Sequence, residues 1–386
     1  MDTHSKQIWA RIRGLRPVIE AHRDEAQTLH HLPDPVARAF VEANVYRLLL
    51  PVEYGGENID PLDYYDLIEE VASYDGSAGW NFSIGSSTPL VFGDLSPSRL
   101  RTIFDSPDAC VAASTTPLGH AIEVEGGYRL AGRFAWASGV HHARWVVAMG
   151  AVFDGATMRK SLIGTPIILG FVMPKEDCTV LDTWHVLGLR GTGSTEFEAD
   201  NVFVPKDLAI RFFRPESRYP YPIFRMPPTY FGYNHVSVMN GIARSALAAL
   251  KTLAATKSSA MPPGGLRDDP QAQYAVAKAE AMIDANRLAV KDAFRLFWDP
   301  VVANESVSME ARARLRRAIA HAAENAVEAV QLCYRGAGGS AVYESAPFER
   351  ALRDVNTAAT HMAVRRVMME EAGRVAFGLP PRTPLF

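Results

Sequence analysis

Three places in this 386-residue sequence carry side chains in arrangements suited to chemistry. In Phe134-Ala135-Trp136-Ala137-Ser138-Gly139, an indole and a hydroxyl stand two residues apart. On a strand, that spacing puts both on one face. An aromatic plane beside a hydroxyl can pack on a flat heterocycle and hydrogen-bond its edge, as at N5 or O4 of a flavin. The other reading is a core indole with a satisfied Ser. His361, among the small residues Ala358, Ala359 and Thr360, could act as a general base near neutral pH. A structural helical His is the alternative. Gly188-Leu189-Arg190-Gly191-Thr192-Gly193-Ser194 is glycine-rich but precedes a strand-like segment. That order suits a tight turn packed on something flat better than a phosphate cradle at a helix N-terminus. No GxGxxG after a strand, P-loop, GxSxG or HExxH occurs.

The elements that must position these residues change character twice along the chain. Up to about residue 107, Asp34-Pro35, Asp60-Pro61 and Ser96-Pro97 each offer a capping side chain before a proline at the first helical position. Amphipathic patterns follow each one, and Pro51 to Gly56 form a break. Over 108–213 the period becomes that of strands. Segments 110–116, 144–152, 166–173 and 195–204 are apolar or alternating, and Gly126-Gly127 marks a hairpin. Residues 214–234 are rich in proline and aromatics, so regular structure is not expected; they read as a linker or as a loop over a pocket. Segments 236–257, 270–297, 309–334 and 348–377 read as four long helices, enough for a bundle. The expected class is α+β: an N-terminal helical domain (1–107), a central β domain (108–213) and a C-terminal four-helix bundle (214–386). That order is not the βαβ alternation of a Rossmann domain.

Composition narrows the partners. The net charge is −3, so nothing points to a nucleic acid. Cys110, Cys178 and Cys333 have no disulfide or zinc spacing, so no metal is expected. The charged N-terminus lacks the apolar core of a signal peptide, and no apolar run is long enough for a bilayer. The expectation is a cytoplasmic protein with no membrane partner.

Taken together, these segments resemble the acyl-CoA dehydrogenase superfamily over nearly the whole chain. The resemblance rests on Pro51-Val52-Glu53-Tyr54-Gly55-Gly56, Trp136-Ala137-Ser138, Gly188 to Ser194 followed by Asn201-Val202-Phe203-Val204-Pro205, Gly338-Gly339-Ser340 and Arg353-Asp354. It implies an N-terminal helical domain, a central β-barrel-like domain, a C-terminal four-helix bundle and a homotetramer with flavin near subunit interfaces. The dehydrogenases' carboxylate base in a Tyr-Glu-Gly context is missing here, where Thr360-His361-Met362-Ala363 stands. Their Arg-x-Gln-Phe motif for FAD is also missing from 251–265, which leans the cofactor toward FMN over FAD.

The chain is more similar to the two-component flavin monooxygenases of that superfamily, the group D hydroxylases. Trp136-Ala137-Ser138-Gly139, His142 to Trp145, Gly191 to Ser194 and a His seven residues beyond Asp354 carry this likeness. The resemblance implies reduced FMN or FAD from a separate NAD(P)H:flavin reductase, O2 as co-substrate, and a flavin C4a-hydroperoxide that oxygenates a small ring-containing substrate. It implies Ser138 at flavin N5 and His361 as base toward a phenolic substrate. It places Trp136, Thr115, Arg190, Gly338 and Gly339 at the cofactor. Trp80, His120 and Phe231 are expected at the substrate pocket. Arg190 reads either as a contact to flavin phosphate or as a brace of the glycine turn, and Trp80 equally as core. Two alternatives are an acyl-CoA dehydrogenase-like enzyme with tightly bound FAD, and a non-catalytic flavin-binding protein of the same fold.

Overall fold

The computed structural model describes residues 3–162, 164–211, 217–260, 263–383 and 386. Six helices come first: α1 (Thr3–Arg13), α2 (Arg16–Leu29), α3 (Asp34–Glu42), α4 (Pro61–Tyr74), α5 (Gly76–Ser87) and α6 (Pro97–Ile103). Asp60 and Ser96 cap their helices, accepting from the backbone N–H groups of Leu62 and Arg99. Asp34, expected to do the same, is instead the first helical residue of α3; Pro33 occupies the cap position and no side chain bonds there.

Helix α5 has no amphipathic stripe because it is buried on nearly all sides. Its sequence, GSAGWNFSIGSS, suits that position: small residues allow close approach, and Ser87 and Thr88 return their hydroxyls to carbonyls four residues back. It packs between α4 and the long helix that opens the C-terminal bundle.

The middle of the chain forms β1 (Val111–Val124), β2 (Gly127–Phe134), β3 (Trp145–Asp154), β4 (Thr157–Met158), β5 (Ile168–Pro174), β6 (Thr179–Val180), β7 (Phe197–Pro205) and β8 (Ala209–Ile210). The order is β6-β7-β2-β1-β3-β5-β8, with β4 attached to β3. Only β1 and β3 pair in parallel among the described strands. The expected hairpin is present, but the turn is Glu125-Gly126, and Gly127 already pairs with Val124. The Trp136/Ser138 segment is not a strand. β2 ends at Phe134, and Trp136 has a left-handed φ of 58°. The shared-face argument therefore fails, and loop geometry places the two side chains separately.

The bundle consists of α7 (Phe231–Thr256), α8 (Pro270–Val302), α9 (Met309–Ala337) and α10 (Pro347–Ala359), with α11 (Val367–Ala376) packed on α9. A short hairpin, β9 (Ser258–Ala260) and β10 (Pro263–Gly265), links α7 to α8. Two expectations change here. The stretch 214–234 contains short 3-10 turns at Pro222–Arg225 and Pro228–Tyr230, and α7 begins inside it. The expected fourth helix is two helices, broken over 360–366 with neither Gly nor Pro in the break. There the Thr360 hydroxyl donates to the Thr357 carbonyl and the His361 N–H to the Ala358 carbonyl, tightening the last turn. Tertiary packing of His361 overrides a helical pattern that continues through it.

One apolar core runs through all three regions. Glu69 of α4, 1% exposed, accepts from Asn240, Arg244 and Arg287 and ties the first helices to the bundle. No described helix is long and apolar enough to cross a membrane.

Candidate active site

Helix α5, the loop after β2, the turn before β7 and the break after α10 converge. Trp80 on α5 is 7% exposed, and its indole N–H donates to Ser138 Oγ at 3.1 Å. Ser138 Oγ lies 2.7 Å from Ser194 Oγ, and Ser194 Oγ lies 2.7 Å from Thr192 Oγ1. The Thr192 hydroxyl reaches the Leu189 carbonyl at 2.8 Å. A carbonyl only accepts, and each hydroxyl has one proton. The direction of the row follows: Thr192 donates to Leu189, Ser194 to Thr192, and Ser138 to Ser194. Ser138 accepts from Trp80 and keeps one lone pair and no proton to give.

The turn that carries this row is held from outside. Leu189 has φ 54°, and its N–H donates to Asp354 Oδ1 at 2.6 Å. A Cβ on Gly188 would stand 2.2 Å from the Arg353 carbonyl oxygen, so only glycine lets the turn approach α10 this closely. The N–H groups of Ala137 and Gly139 donate to the carbonyls of Thr195 and Thr192, joining the two loops. Asn81 adds a bond to the Gly191 carbonyl.

His361 sits in the break after α10 and not on a helix. Its ring stacks on His235 with centroids 3.9 Å apart, and both rings meet Trp80 edge-on, at 5.7 and 4.9 Å. Burial disfavours the imidazolium and pushes the His361 pKa down to about 4. The ring is therefore neutral at pH 7. Nδ1 accepts from the Ala363 N–H at 3.3 Å, which puts the proton of the neutral ring on Nε2.

Trp80, Ser138 and His361 are thus brought together. Trp136 is near them in sequence but 61% exposed. A bulky residue in the left-handed region with its indole uncovered is an uncommon combination, found where a site demands it. Thr115 is exposed on β1, two residues before Pro117. Arg190 Nε donates to the Val186 carbonyl at 2.9 Å, the bracing role. Gly338, with φ 59°, ends α9, and Gly339 follows with open space around it. His120, expected at the substrate pocket, stands apart from the Trp80 group. It lies inside β1, opposite Ala131 and Ala151, and stacks on Phe153 at 3.9 Å. It makes no ring contact with the Trp80 group among the described residues. Phe231 is the first residue of α7, and its side chain lies outside the described residues. A groove of about 650 Å³ between α9 and the 360–366 break, with Glu324, Glu328, Arg335 and Arg365 in its walls, shares none of the Trp80, Ser138 or His361 side chains.

His235, Ser194 and Thr192 are site residues that sequence reasoning passes over. The two hydroxyls stood inside the quoted glycine turn, and His235 lay just past the proline-rich stretch. Nothing in their spacing says that the turn and α7 meet α5.

The uncovered Trp136 plane and the unused Ser138 lone pair fit a flat heterocycle with an N–H edge. Comparison with known proteins agrees. The chain matches the acyl-CoA dehydrogenase N-terminal domain over residues 12–93 and the acyl-CoA dehydrogenase C-terminal domain over 233–366. It is 30% identical to the flavin-dependent monooxygenase oxygenase subunit HsaA of Rhodococcus jostii, covering 96% of this chain and 98% of that one. The chain belongs to the flavin-dependent monooxygenases of the acyl-CoA dehydrogenase family. It is also 30% identical to an indole-3-acetate monooxygenase of Pseudomonas putida, over 94% of this chain and 91% of that one. XiaF from Streptomyces sp., solved with FADH2 and glycerol, superposes with a TM-score of 0.90 at 26% identity, covering 98% and 97% of the two chains. Family membership selects the monooxygenase over the dehydrogenase alternative, in keeping with His361 standing where a carboxylate base was sought.

Proposed function

We propose that this monooxygenase is an oxygenase component that takes reduced FMN or FAD from a separate NAD(P)H:flavin reductase and oxygenates a small aromatic substrate. The observation that carries the reading is the direction of the hydroxyl row. Ser138 donates its hydroxyl hydrogen to Ser194 and toward a ligand can only accept, and reduced flavin carries a hydrogen on N5 where oxidised flavin carries a lone pair. A site whose edge group only accepts discriminates for the reduced form. Trp136 and Thr115 would lie along the flavin, with Ser138 at N5. Gly338 and Gly339 are proposed to face the flavin across a subunit interface in a homotetramer.

Reduced flavin and O2 together supply the oxygen atom that is transferred. The chain's own side chains do the rest. The rings of Trp80, His235 and His361 form a wall of low polarity, which keeps water from the reacting atoms. An aromatic wall suits a ring-bearing substrate, and the Pseudomonas relative is named for one, indole-3-acetate. His361 would take the proton of a substrate hydroxyl. To do so at Nε2 it must hold its own proton on Nδ1, giving up the long Ala363 contact. Burial disfavours a lone imidazolium, but a substrate anion formed beside it offsets that cost. The proton transfer therefore becomes favourable only with substrate in place.

Anaerobic titration with reduced and then oxidised FMN and FAD tests the reading. Tighter binding of a reduced flavin, followed by hydroxylated product when oxygen and a panel of phenols and indoles are added, is the expected result. Tightly held oxidised FAD that is reduced by an acyl-CoA would overturn it. The His361→Ala protein is expected to bind reduced flavin normally while product formation drops about 10²–10⁴-fold, the usual worth of a positioned base. Wild-type turnover in that variant would remove the base role.

A further inference from the structure

Hydrogen bonding does little to fix the His361 ring. Its one side-chain bond among the described residues is the long Ala363 contact, 3.3 Å, and that contact is given up when Nε2 receives a proton. The ring also stands in the 360–366 break, with no helix of its own to hold it.

Helix α7 supplies what is missing. A Cβ on Gly232 would stand 2.8 Å from the Ala363 carbonyl oxygen, so a glycine lets the start of α7 press against the break. His235 follows three residues later, on the same face of the helix. Gly232 therefore meets the backbone at Ala363, and His235 meets the ring at His361, with centroids 3.9 Å apart and planes 18° apart. Helix α7 is itself anchored to the N-terminal helices. Tyr233 OH donates to the Pro61 carbonyl at 2.9 Å, the Ser237 hydroxyl to the Tyr65 carbonyl at 2.6 Å, and Asn240 to Glu69 at 3.0 Å. His235 is 4% exposed. A buried ring on a fixed helix thus faces a ring on an irregular segment, and the first orients the second.

We propose that His235 is a positioning residue for the base: its ring holds the plane of His361 once the Ala363 contact is released, and its π face carries the charge of the imidazolium that forms. The proposal rests on the base role given to His361 above. In that step the substrate O–H bond breaks, the proton goes to His361 Nε2, and the electron pair stays on the substrate oxygen. The new positive charge lies against the face of His235. Stacked rings cannot hydrogen-bond each other through nitrogens that point outward in their planes, so no proton passes between them. The contact acts through orientation and charge alone. A cation over an aromatic face is attracted by the ring's quadrupole, more strongly where water is excluded. Two imidazoliums at this separation would repel, so a proton on His361 keeps one off His235. Trp80 meets both rings edge-on, which limits tilting out of the stack.

The test is the ionisation of 4-nitrophenol, a probe whose anion is yellow, bound anaerobically beside reduced FMN. Wild type, His235→Leu, His235→Phe and His361→Ala are compared. Wild type should ionise the bound probe at a pH where it is largely neutral in solution. His235→Leu fills the space without a π face, and its ratio of ionised to neutral probe should fall about two- to thirtyfold, the span of a cation–π contact. The kcat for a phenol should fall in step, while KM and the affinity for reduced FMN hold. His235→Phe restores an aromatic face and should recover most of that loss. If thermal unfolding shows that the Leu variant does not fold, His235→Met takes its place, since an unbranched side chain adapts to the space. A Leu variant that ionises the probe like wild type, or a Phe variant as impaired as Leu, would overturn the proposal. If wild type leaves the bound probe neutral, or His361→Ala ionises it equally well, the base role of His361 fails and the proposal with it. Loss in His361→Ala with none in His235→Leu leaves the base role standing and sinks the proposal alone.

Discussion

The Trp80 indole donates to the Ser138 hydroxyl at 3.1 Å across 58 residues of sequence, so the wall that shields His361 is also the group that orients Ser138. Exclusion of water and placement of the flavin edge depend on one side chain. A Trp80→Phe substitution keeps most of the ring contact and deletes the bond. The expected result is a modest stability loss of about 1 kcal/mol, with more H2O2 released per reduced flavin consumed. An unchanged ratio of product to H2O2 would show that Ser138 is oriented without Trp80.

The direction of the hydroxyl row makes a separate prediction at Ser194. In Ser194→Ala the Ser138 proton loses its acceptor and becomes available. Affinity for reduced flavin should fall and that for oxidised flavin should rise, each by about two- to tenfold, the range of one neutral hydrogen bond. Paired titrations check this. A proportional loss for both forms would mean that Ser194 only fills space.

The order of helices, strands and bundle was legible because each depends on local signals. The caps at Asp60 and Ser96, the hairpin after Val124 and the long apolar periods of α7, α8 and α9 all lie within a few residues of what they determine. The errors share a cause in long-range contact. The helical pattern of 348–377 gives no sign of the break at His361, because the break serves contacts with Trp80 and His235 far away in sequence. Trp136 and Ser138 sit on a loop and not a strand because the turn before β7 bonds the backbone at Ala137 and Gly139. Trp80, Ser138 and His361 were recognisable as chemistry-bearing residues, whereas Thr192, Ser194 and Asp354 acquire a part only once the row linking them is seen.

Gly188 offers a stability test of the turn. A methyl group there would meet the Arg353 carbonyl at 2.2 Å and the Asp354 N at 2.7 Å, both backbone atoms that cannot swing aside. Gly188→Ala should therefore push the turn off α10, at about 1–3 kcal/mol as for other overpacked sites, and lengthen the Leu189–Asp354 bond. Gly373→Ala is the control for adding a methyl at a glycine, since nothing lies within 4 Å of its Cβ and its φ is not left-handed. A thermal shift no larger at 188 than at 373 would show that the close approach is dispensable.

Acid sensitivity should come from imidazoles held neutral. His141 stacks on His31 at 4.4 Å, and burial, followed by the charges of His31 and His142, lowers its pKa to about 4. His361 is lowered to about 4 by burial alone. In the unfolded chain both return to about 6.5 and take up protons earlier. The sign follows: the folded state binds fewer protons between about 6.5 and 4, so the stability contributed by the neutral rings is complete above 6.5 and is lost as pH falls through 4. His141 packs against Gly193, whose Cβ would lie 2.9 Å from the imidazole, so this ring lies against the turn that carries Ser194. Urea unfolding between pH 7 and 4 should show falling stability, and His141→Gln should flatten part of that fall while leaving the pH 7 value within about 1–2 kcal/mol. An equally steep fall in the variant would assign the acid sensitivity to other groups.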